Sequence, residues 1–495
     1  MAGFMIAAPR SGSGKTMVTC GILELLKRKQ KNPFSYKCGP DYIDGLFHRK
    51  VLGIEGGNLD SFFEQPQDIR EKYAAVSETH FPVVEGVMGY FDGLGGDTTA
   101  ASSWEVADIL NLPVVLVVDA KGASLSLAAL IKGFQVFQGE SQSSQANKNG
   151  NHIQAVILNR IFPMLYPRMK AVIEKETGVL VAGYVPELDF WQVGSRHLGL
   201  VLPGEIENLQ EQMRQLGDCL EKTLDVDVLL KLGEKADIDV LGSVTVTADG
   251  SSQKCEAQKN ADLVLQNQFA GEKISHSAIP IRLGVAWDEA FCFYYRDNLE
   301  FLEKQGVQIV QFSPVHDKHL PDDLDGLLLG GGYPELYAKA LEENETIRNE
   351  IRRKAEEDMP ILAECGGYLY LLKELEDENG TGYEMAGVFS GKGYKKGKNS
   401  HFGYITVQTE KDSLYLKAGE TIKGHEFHYW ESTQDENELK MQAKKPTGKR
   451  SWPCVTVKNQ VMAGFPHLYY PSLEGFGERF VQACDRYRMK RKRQQ

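Results

Sequence analysis

The run GFMIAAPRSGSGKT, Gly3 to Thr16, constrains this chain more than any other stretch, because a short apolar segment passes directly into a glycine-rich loop ending in Lys-Thr. The apolar segment reads as a buried strand, and Met17 to Lys29 behind the loop has helical periodicity. Strand, glycine loop and helix together describe a phosphate-binding loop, in which backbone N–H groups and a helix N-terminus wrap an anion. The pattern G-x-x-x-x-G-K-[ST] asks for glycine where Pro9 stands. Proline removes one N–H and fixes φ, but it sits at the strand exit, ahead of the wrapping amides of Gly12, Ser13, Gly14, Lys15 and Thr16. The donors therefore survive. Lys15 is expected to reach the β/γ oxygens of ATP, and the Thr16 hydroxyl to ligate Mg2+. Arg10, five residues before Lys15, is either a further phosphate contact or solvated.

The same strand–helix rhythm continues. FPVVEG (81–86), PVVLVVDA (113–120), IQAVILNR (153–160) and VLVAGYVP (179–186) are near-continuous apolar strands, separated by amphipathic stretches such as Ser103 to Leu110. Such alternation predicts a buried parallel sheet with helices on both faces, an α/β class. GESQSSQANKNGN (139–151) interrupts it as a surface loop. At 495 residues the chain exceeds one core. Residues 242–279 are polar and weakly periodic, which marks an inter-domain linker. A second α/β series then begins: IRLGVAWD (281–288), VQIVQF (307–312), LDGLLLGGG (324–332) and MPILAEC (359–365). The expected division is 1–241, a linker at 242–279, 280–489, and a basic tail at 490–495.

Three acidic loop positions flank the phosphate loop. Glu85 closes the strand FPVVEG at the edge where open α/β sheets bind ligands, as a Mg2+ acid would. Asp41 and Asp44 lie in the turn-prone KCGPDYID (37–44), where a carboxylate can hold the metal or orient a substrate. In the second half, PILAECGGYLYLL places Cys365 between a strand and a helix-like run. That elbow exposes a thiol and aims a helix N-terminus at it, which is expected to lower its pKa. The strand-end glycines Gly331 and Gly332, with Gly366, can supply oxyanion-hole N–H groups. His467, on the late strand AGFPHLYY, is the expected base, with His401, His425 and His428 as competitors. A Cys–His pair beside such glycines suggests amide hydrolysis through a thioester.

Composition narrows the class. A net charge of −12 argues against nucleic acid or an anionic membrane as a partner. The closing RYRMKRKRQQ is basic and reads as a solvated, frayed tail. Eight scattered cysteines, without a CxxC pair, suit reduced thiols. With neither a leader pattern before the first strand nor an 18-residue apolar run, a cytoplasmic location is expected.

Taken in order, SGSGKT, KCGPDYID, NLDSFF, VVEGVMGYFDG, VVLVVDAKG, RHLGLVLP, GGGYPE, ECGGYLYL, GHEFHYW and FPHLYY resemble the cobyrinic acid a,c-diamide synthases, glutamine-dependent amidotransferases of corrinoid biosynthesis. The resemblance covers nearly the whole chain. It implies an N-terminal ATP-dependent amidoligase with a P-loop, Rossmann-like sheet related to dethiobiotin synthetase, and a C-terminal class I glutaminase of flavodoxin-like fold. Carried over, Cys365 is the nucleophile and His467 its base. Gly12 to Thr16 bind ATP; Thr16, Asp44 and Glu85 serve Mg2+; Asp41, Tyr42, Asp44, Asp92, Arg196 and His197 are candidates for the macrocycle site. L-glutamine and the corrinoid are the implied substrates, and a homodimer is possible. Many class I glutaminases carry H-x-E, whereas Tyr469 stands at the Glu position here, leaving open what orients His467. The same architecture also fits Ni-sirohydrochlorin or hydrogenobyrinic acid as substrate, and cobyric acid synthase is a further relative. From other classes, a MinD- or ParA-like switch ATPase would share the loop but not the Cys365 elbow, and a non-catalytic corrinoid-binding protein would not consume ATP.

Overall fold

The computed structural model describes residues 2–42, 45, 47–137, 152–191, 208–234, 280–396, 401–434 and 439–494. The expected loop at 139–151 and linker at 242–279 lie outside them.

The N-terminal half is built on strands β1 (Phe4–Ala7), β2 (Pro33–Cys38), β3 (Gly56–Leu59), β4 (Phe81–Glu85), β5 (Val114–Asp119), β6 (Ile153–Asn159) and β7 (Leu180–Val185). They form one parallel sheet in the order β3-β2-β4-β1-β5-β6-β7. Alternation places Phe4 and Ile6 in one core and Met5 and Ala7 in the other, so both faces of β1 are dry. This is the doubly covered parallel sheet that the Val/Ile/Leu runs predicted. Strands β2 and β3 were not read from the sequence. PFSYKC carries a proline and a lysine, and GGNL is a polar edge strand without apolar alternation, so neither gave a pattern signal.

The C-terminal half contains β8 (Ile281–Ala286), β9 (Val307–Phe312), β10 (Gly326–Leu329), β11 (Ile361–Glu364), β12 (Glu374–Glu376), β13 (Gly382–Glu384), β14 (Lys392–Lys395), β15 (Phe402–Gln408), β16 (Thr421–Phe427), β17 (Trp430–Ser432), β18 (Leu439–Lys444), β19 (Ser451–Lys458), β20 (Val461–Gly464) and β21 (His467–Leu468). A sheet in the order β21-β16-β15-β18-β19-β20-β11-β10-β8-β9 joins a parallel half, from β20 to β9, to an antiparallel half. Strands β13-β12-β14-β17 form a smaller sheet.

The basic terminus is not frayed. Helix Phe476–Gln494 runs through it, and Arg491 donates to the Leu324 carbonyl at 2.8 Å and to Asp325 at 3.2 Å. In sequence the stretch reads as a solvated run; the Arg491 partners lie 167 and 166 positions away, so composition does not reveal them.

The two halves meet through aromatic rings. Phe63 stacks on Tyr469 at 4.9 Å, and Tyr42 stacks on Phe293 at 5.5 Å. Around these rings, Lys72 pairs with Glu64 and Asp297, Tyr469 donates to Asp297 at 3.0 Å, and Tyr404 donates to Asp60 at 2.9 Å.

Candidate active site

The phosphate loop leaves β1 at the centre of its sheet and enters helix Lys15–Arg28 through Gly14, whose φ of 95° is left-handed. The Lys15 ammonium donates to the Met88 carbonyl, and Asn159, at the end of β6, donates to the Ser13 carbonyl at 2.9 Å. Register brings Glu85 opposite both Ile6 of β1 and Lys37 of β2. Glu85 is fully buried; its Oε1 accepts from Thr16 Oγ1 at 2.6 Å and from Lys37 Nζ at 2.8 Å. Lys37 was not singled out in the sequence, where it reads as part of a polar turn. Only the β2–β4 pairing reveals it as the cation at the carboxylate. Arg10 lies 3.6 Å from Asp119, a carboxylate that Arg160 also engages and holds below its usual pKa range against the cost of burial.

Of the remaining sequence candidates, Asp92 accepts from Gly89 N at 3.0 Å within the turn after β4, and the Asp41 carbonyl accepts from Asn58 at 3.0 Å. Tyr42 is buried between the two halves, its ring 5.2 Å from that of His467. Asp44, Arg196 and His197 lie outside the described residues.

In the second half, β11 ends at Glu364 and Cys365 turns the chain into the short helix Gly366–Leu371. Cys365 adopts φ 49° and ψ −102°, a strained conformation for a residue with a side chain. The peptide is pinned from both sides: Cys365 N donates to Gly464 O at 2.8 Å, and Gly367 N to Gly330 O at 2.9 Å. Glycines are required here by contact. A Cβ on Gly331 would lie 2.2 Å from His467 Cε1, and one on Gly366 would lie 3.0 Å from Gly332 N. Gly331, Gly332, Gly366, Cys365 and His467 are thus gathered in one place, around a cavity of about 800 Å³ that Tyr42, His425 and His428 also line.

The electrostatics differ from the expectation for the thiol. Burial pushes the Cys365 thiol far above its usual range, reinforced by the carboxylates of Glu335 and Glu426, while the Gly366 N–H only partly offsets this. One N–H at the head of a six-residue helix cannot outweigh complete desolvation. The thiol is protonated at rest and needs a base. Burial also depresses His467, to about 3, so its imidazole is neutral and able to accept a proton. His425 is likewise depressed to about 3 by burial. His428 is occupied on both nitrogens, by the Trp430 carbonyl and Glu426, which favours His467 over it as a base.

Tyr469, at the usual Glu position, faces the other half of the molecule. The carboxylate near His467 is instead Glu364, whose Oε2 is 3.9 Å from Nδ1, a nitrogen without a hydrogen bond among the described residues. Glu364 Oε1 accepts from Tyr470 OH at 3.1 Å and from Leu468 N at 3.3 Å, and burial raises its pKa to about 8. A carboxyl raised on folding holds its proton in the native chain after the unfolded chain has released it. Its contribution to stability is therefore complete below the ordinary value near 4.5 and is lost as pH rises toward 8, at up to about 1.4 kcal/mol per pH unit. Glu364→Gln is accordingly expected to gain thermal stability relative to the parent between pH 5 and pH 8. Melting curves showing a pH-independent difference would count against this ionisation.

Comparison with known proteins agrees with the two-site layout. Residues 4–200 match the family described as the CobQ/CobB/MinD/ParA nucleotide binding domain, and residues 282–473 match the CobB/CobQ-like glutamine amidotransferase domain. The chain is 35% identical over 488 residues to the cobyrinate a,c-diamide synthase of Caldanaerobacter subterraneus subsp. tengcongensis, with 98% of each chain covered. It is 37% identical over 473 residues to that of Streptococcus sanguinis, covering 94% of this chain and 95% of the relative. For the enzyme of Salmonella typhimurium the values are 36% over 428 residues, with 86% and 85% covered. With Thr16 bonded to the buried Glu85 at one sheet edge, a strained cysteine elbow at another, and this likeness along both halves, the chain belongs to the cobyrinate a,c-diamide synthase family.

Proposed function

We propose that the chain converts the a and c carboxylates of cobyrinate to amides, using ATP for activation and glutamine as nitrogen donor. The observation that carries this reading is the course of the segment after β2. It starts at Lys37, bonded to Glu85 beside the phosphate loop, and five residues later Tyr42 forms part of the wall of the Cys365 cavity. One short segment physically joins a phosphate-transfer site to a thiol site.

The chemistry answers a specific difficulty. A carboxylate is a poor electrophile, and ammonium has no lone pair to attack with. Attack of the substrate carboxylate on the γ-phosphorus of ATP gives an acyl phosphate and ADP. Lys15 and the amides of Gly12 to Thr16 would stabilise the charge of the phosphates. Thr16 and Glu85 present hard oxygen donors 2.6 Å apart, which suits Mg2+. Bound there, the ion would neutralise charge on the transferring group. In the cavity, neutral His467 takes the Cys365 proton as the sulfur attacks the glutamine amide, and the N–H groups of Gly331, Gly332 and Gly366 would stabilise the developing oxyanion. His467 gives that proton to the departing nitrogen so that ammonia leaves, water releases glutamate from the thioester, and ammonia displaces phosphate from the acyl phosphate. No hydrogen-bonded carboxylate replaces the H-x-E glutamate among the described residues: Glu364 lies 3.9 Å from Nδ1, and burial holds its proton up to about pH 8. Asp41, Tyr42, Asp44, Asp92, Arg196 and His197 remain the proposed macrocycle contacts, with Asp44 a further Mg2+ ligand. A cytoplasmic location, a homodimer, and domain limits of 1–241 and 280–489 complete the proposal.

The test is incubation with cobyrinate, hydrogenobyrinate and Ni-sirohydrochlorin in turn, with ATP and glutamine, counting amides by mass. Diamide from cobyrinate is expected; none from any macrocycle would overturn the reading. Tyr42→Ala bears on coupling. By opening the wall between the sites, it should let ammonia escape to water, so that glutamate formed exceeds amide formed, whereas the parent keeps the two nearly equal. An unchanged ratio would remove Tyr42 from the transfer path.

A further inference from the structure

We propose that His401, Glu426 and His428 form a binding site for one divalent transition-metal ion of the zinc class, in the wall of the cavity that holds Cys365. Their donor atoms, one from each side chain, lie within 4.8 Å of one another; His401 immediately precedes β15, Glu426 is on β16 and His428 just follows it. Two imidazoles and one carboxylate are the donor set that zinc-class ions take in open sites.

One edge of the cluster is a hydrogen bond and another is not, and both lie close to the spacing of donors around one ion. Around a tetrahedral ion with ligands at about 2.0–2.1 Å, neighbouring donors stand roughly 3.3 Å apart. Here Glu426 Oε1 is 2.9 Å from His428 Nε2 and 3.9 Å from His401 Nδ1. The second separation is too long for a hydrogen bond. Shifts of about half an ångström in these side chains reach the tetrahedral value from both sides. Glu431 Oε1, also 3.9 Å from His401 Nδ1, can supply a fourth ligand, and otherwise solvent can.

The surrounding groups already hold each ligand as metal sites require. The Trp430 carbonyl can only accept, so at 2.6 Å it fixes the proton on His428 Nδ1 and leaves Nε2 as the nitrogen turned toward Glu426. Trp452 Nε1 donates to Glu426 Oε2 at 3.0 Å, which keeps Oε1 as the inward oxygen. The His428 ring stacks on Phe465 at 3.9 Å and the His401 ring on Trp452 at 4.3 Å. These contacts fix the tautomer, the carboxylate orientation and both ring planes. Because His428 also lines the Cys365 cavity, an ion held here would stiffen one wall of the thiol site.

The experiment uses the full-length chain without a histidine tag, treated with chelator, and titrated with Co2+ under visible absorption before competition with Zn2+. One Co2+ per chain is expected, with tetrahedral d–d bands, no thiolate charge-transfer band in the near ultraviolet, and displacement by Zn2+. His401→Asn, at a side chain 20% exposed, and Glu426→Gln should each weaken binding at least about tenfold. Circular dichroism of both metal-free variants guards against misfolding, and His401→Asn alone suffices if Glu426→Gln fails to fold. Absence of stoichiometric binding, equal affinity in His401→Asn, or a thiolate band abolished by Cys365→Ser would each overturn the site.

Discussion

Replacing Cys365 with alanine is expected to abolish glutamine-dependent amide formation, by about 10,000-fold or more, while leaving amidation from ammonium salts at the parental rate. The size follows from removing a covalent nucleophile, after which the rest of the machinery cannot form the thioester. The selectivity follows from geometry. Cys365 belongs to the β11 elbow, whereas Thr16, Glu85 and Lys37 lie at the carboxyl edge of the other sheet. The thiol rests protonated and His467 rests neutral, so the pair stores no charge that alanine would unbalance. Structural damage should therefore be small. Steady-state assays with glutamine and with ammonium chloride at alkaline pH separate the outcomes. Loss of both activities would mean that the halves do not work as independent sites, and retention of glutamine use would remove Cys365 from the chemistry.

What could be read from the sequence was whatever is contiguous. The phosphate loop and the cysteine elbow each occupy fewer than ten neighbouring residues, and their backbone demands are written in glycines. The parallel sheet was legible for the same reason where its strands are near-continuous apolar runs, as in β1 and β5. What escaped was created by pairing across distance. Lys37 becomes a site residue because β2 lies beside β4, 48 positions from its partner Glu85. Glu364 sits in the quoted elbow yet gains its meaning from Leu468 and Tyr470, more than 100 positions away. Tyr42 reads in sequence as a macrocycle contact, and its neighbours Phe293, Tyr295 and His467 come from the other half, which no local pattern reveals. The thiol pKa was misjudged because local helix geometry is visible in sequence while the depth of burial is not.

Glu85→Gln is expected to lower amidation from both nitrogen sources by about 100- to 1,000-fold, while hydrolysis of glutamine in the other half continues. The substitution keeps size and an acceptor oxygen, so the Thr16 hydroxyl retains a partner, but the charge that complements Lys37 and suits a divalent cation is gone. Removing one member of a buried ion pair commonly costs about 3–5 kcal/mol, so the thermal midpoint should also fall. Loss of activity in this variant alone would therefore not separate a role in chemistry from a role in holding the sheet edge. Adding Lys37→Met does. With no buried ammonium left to neutralise, the double variant should recover much of the stability, since an apolar replacement of a buried pair is often neutral. It should recover none of the ligase activity if the Glu85 carboxylate serves the phosphoryl transfer. Melting curves and ammonium-driven amidation, measured on the single and double variants together, decide the matter: activity returning in step with stability would reduce Glu85 to a structural counter-ion, and the cation site would then have to be sought elsewhere along the sheet edge.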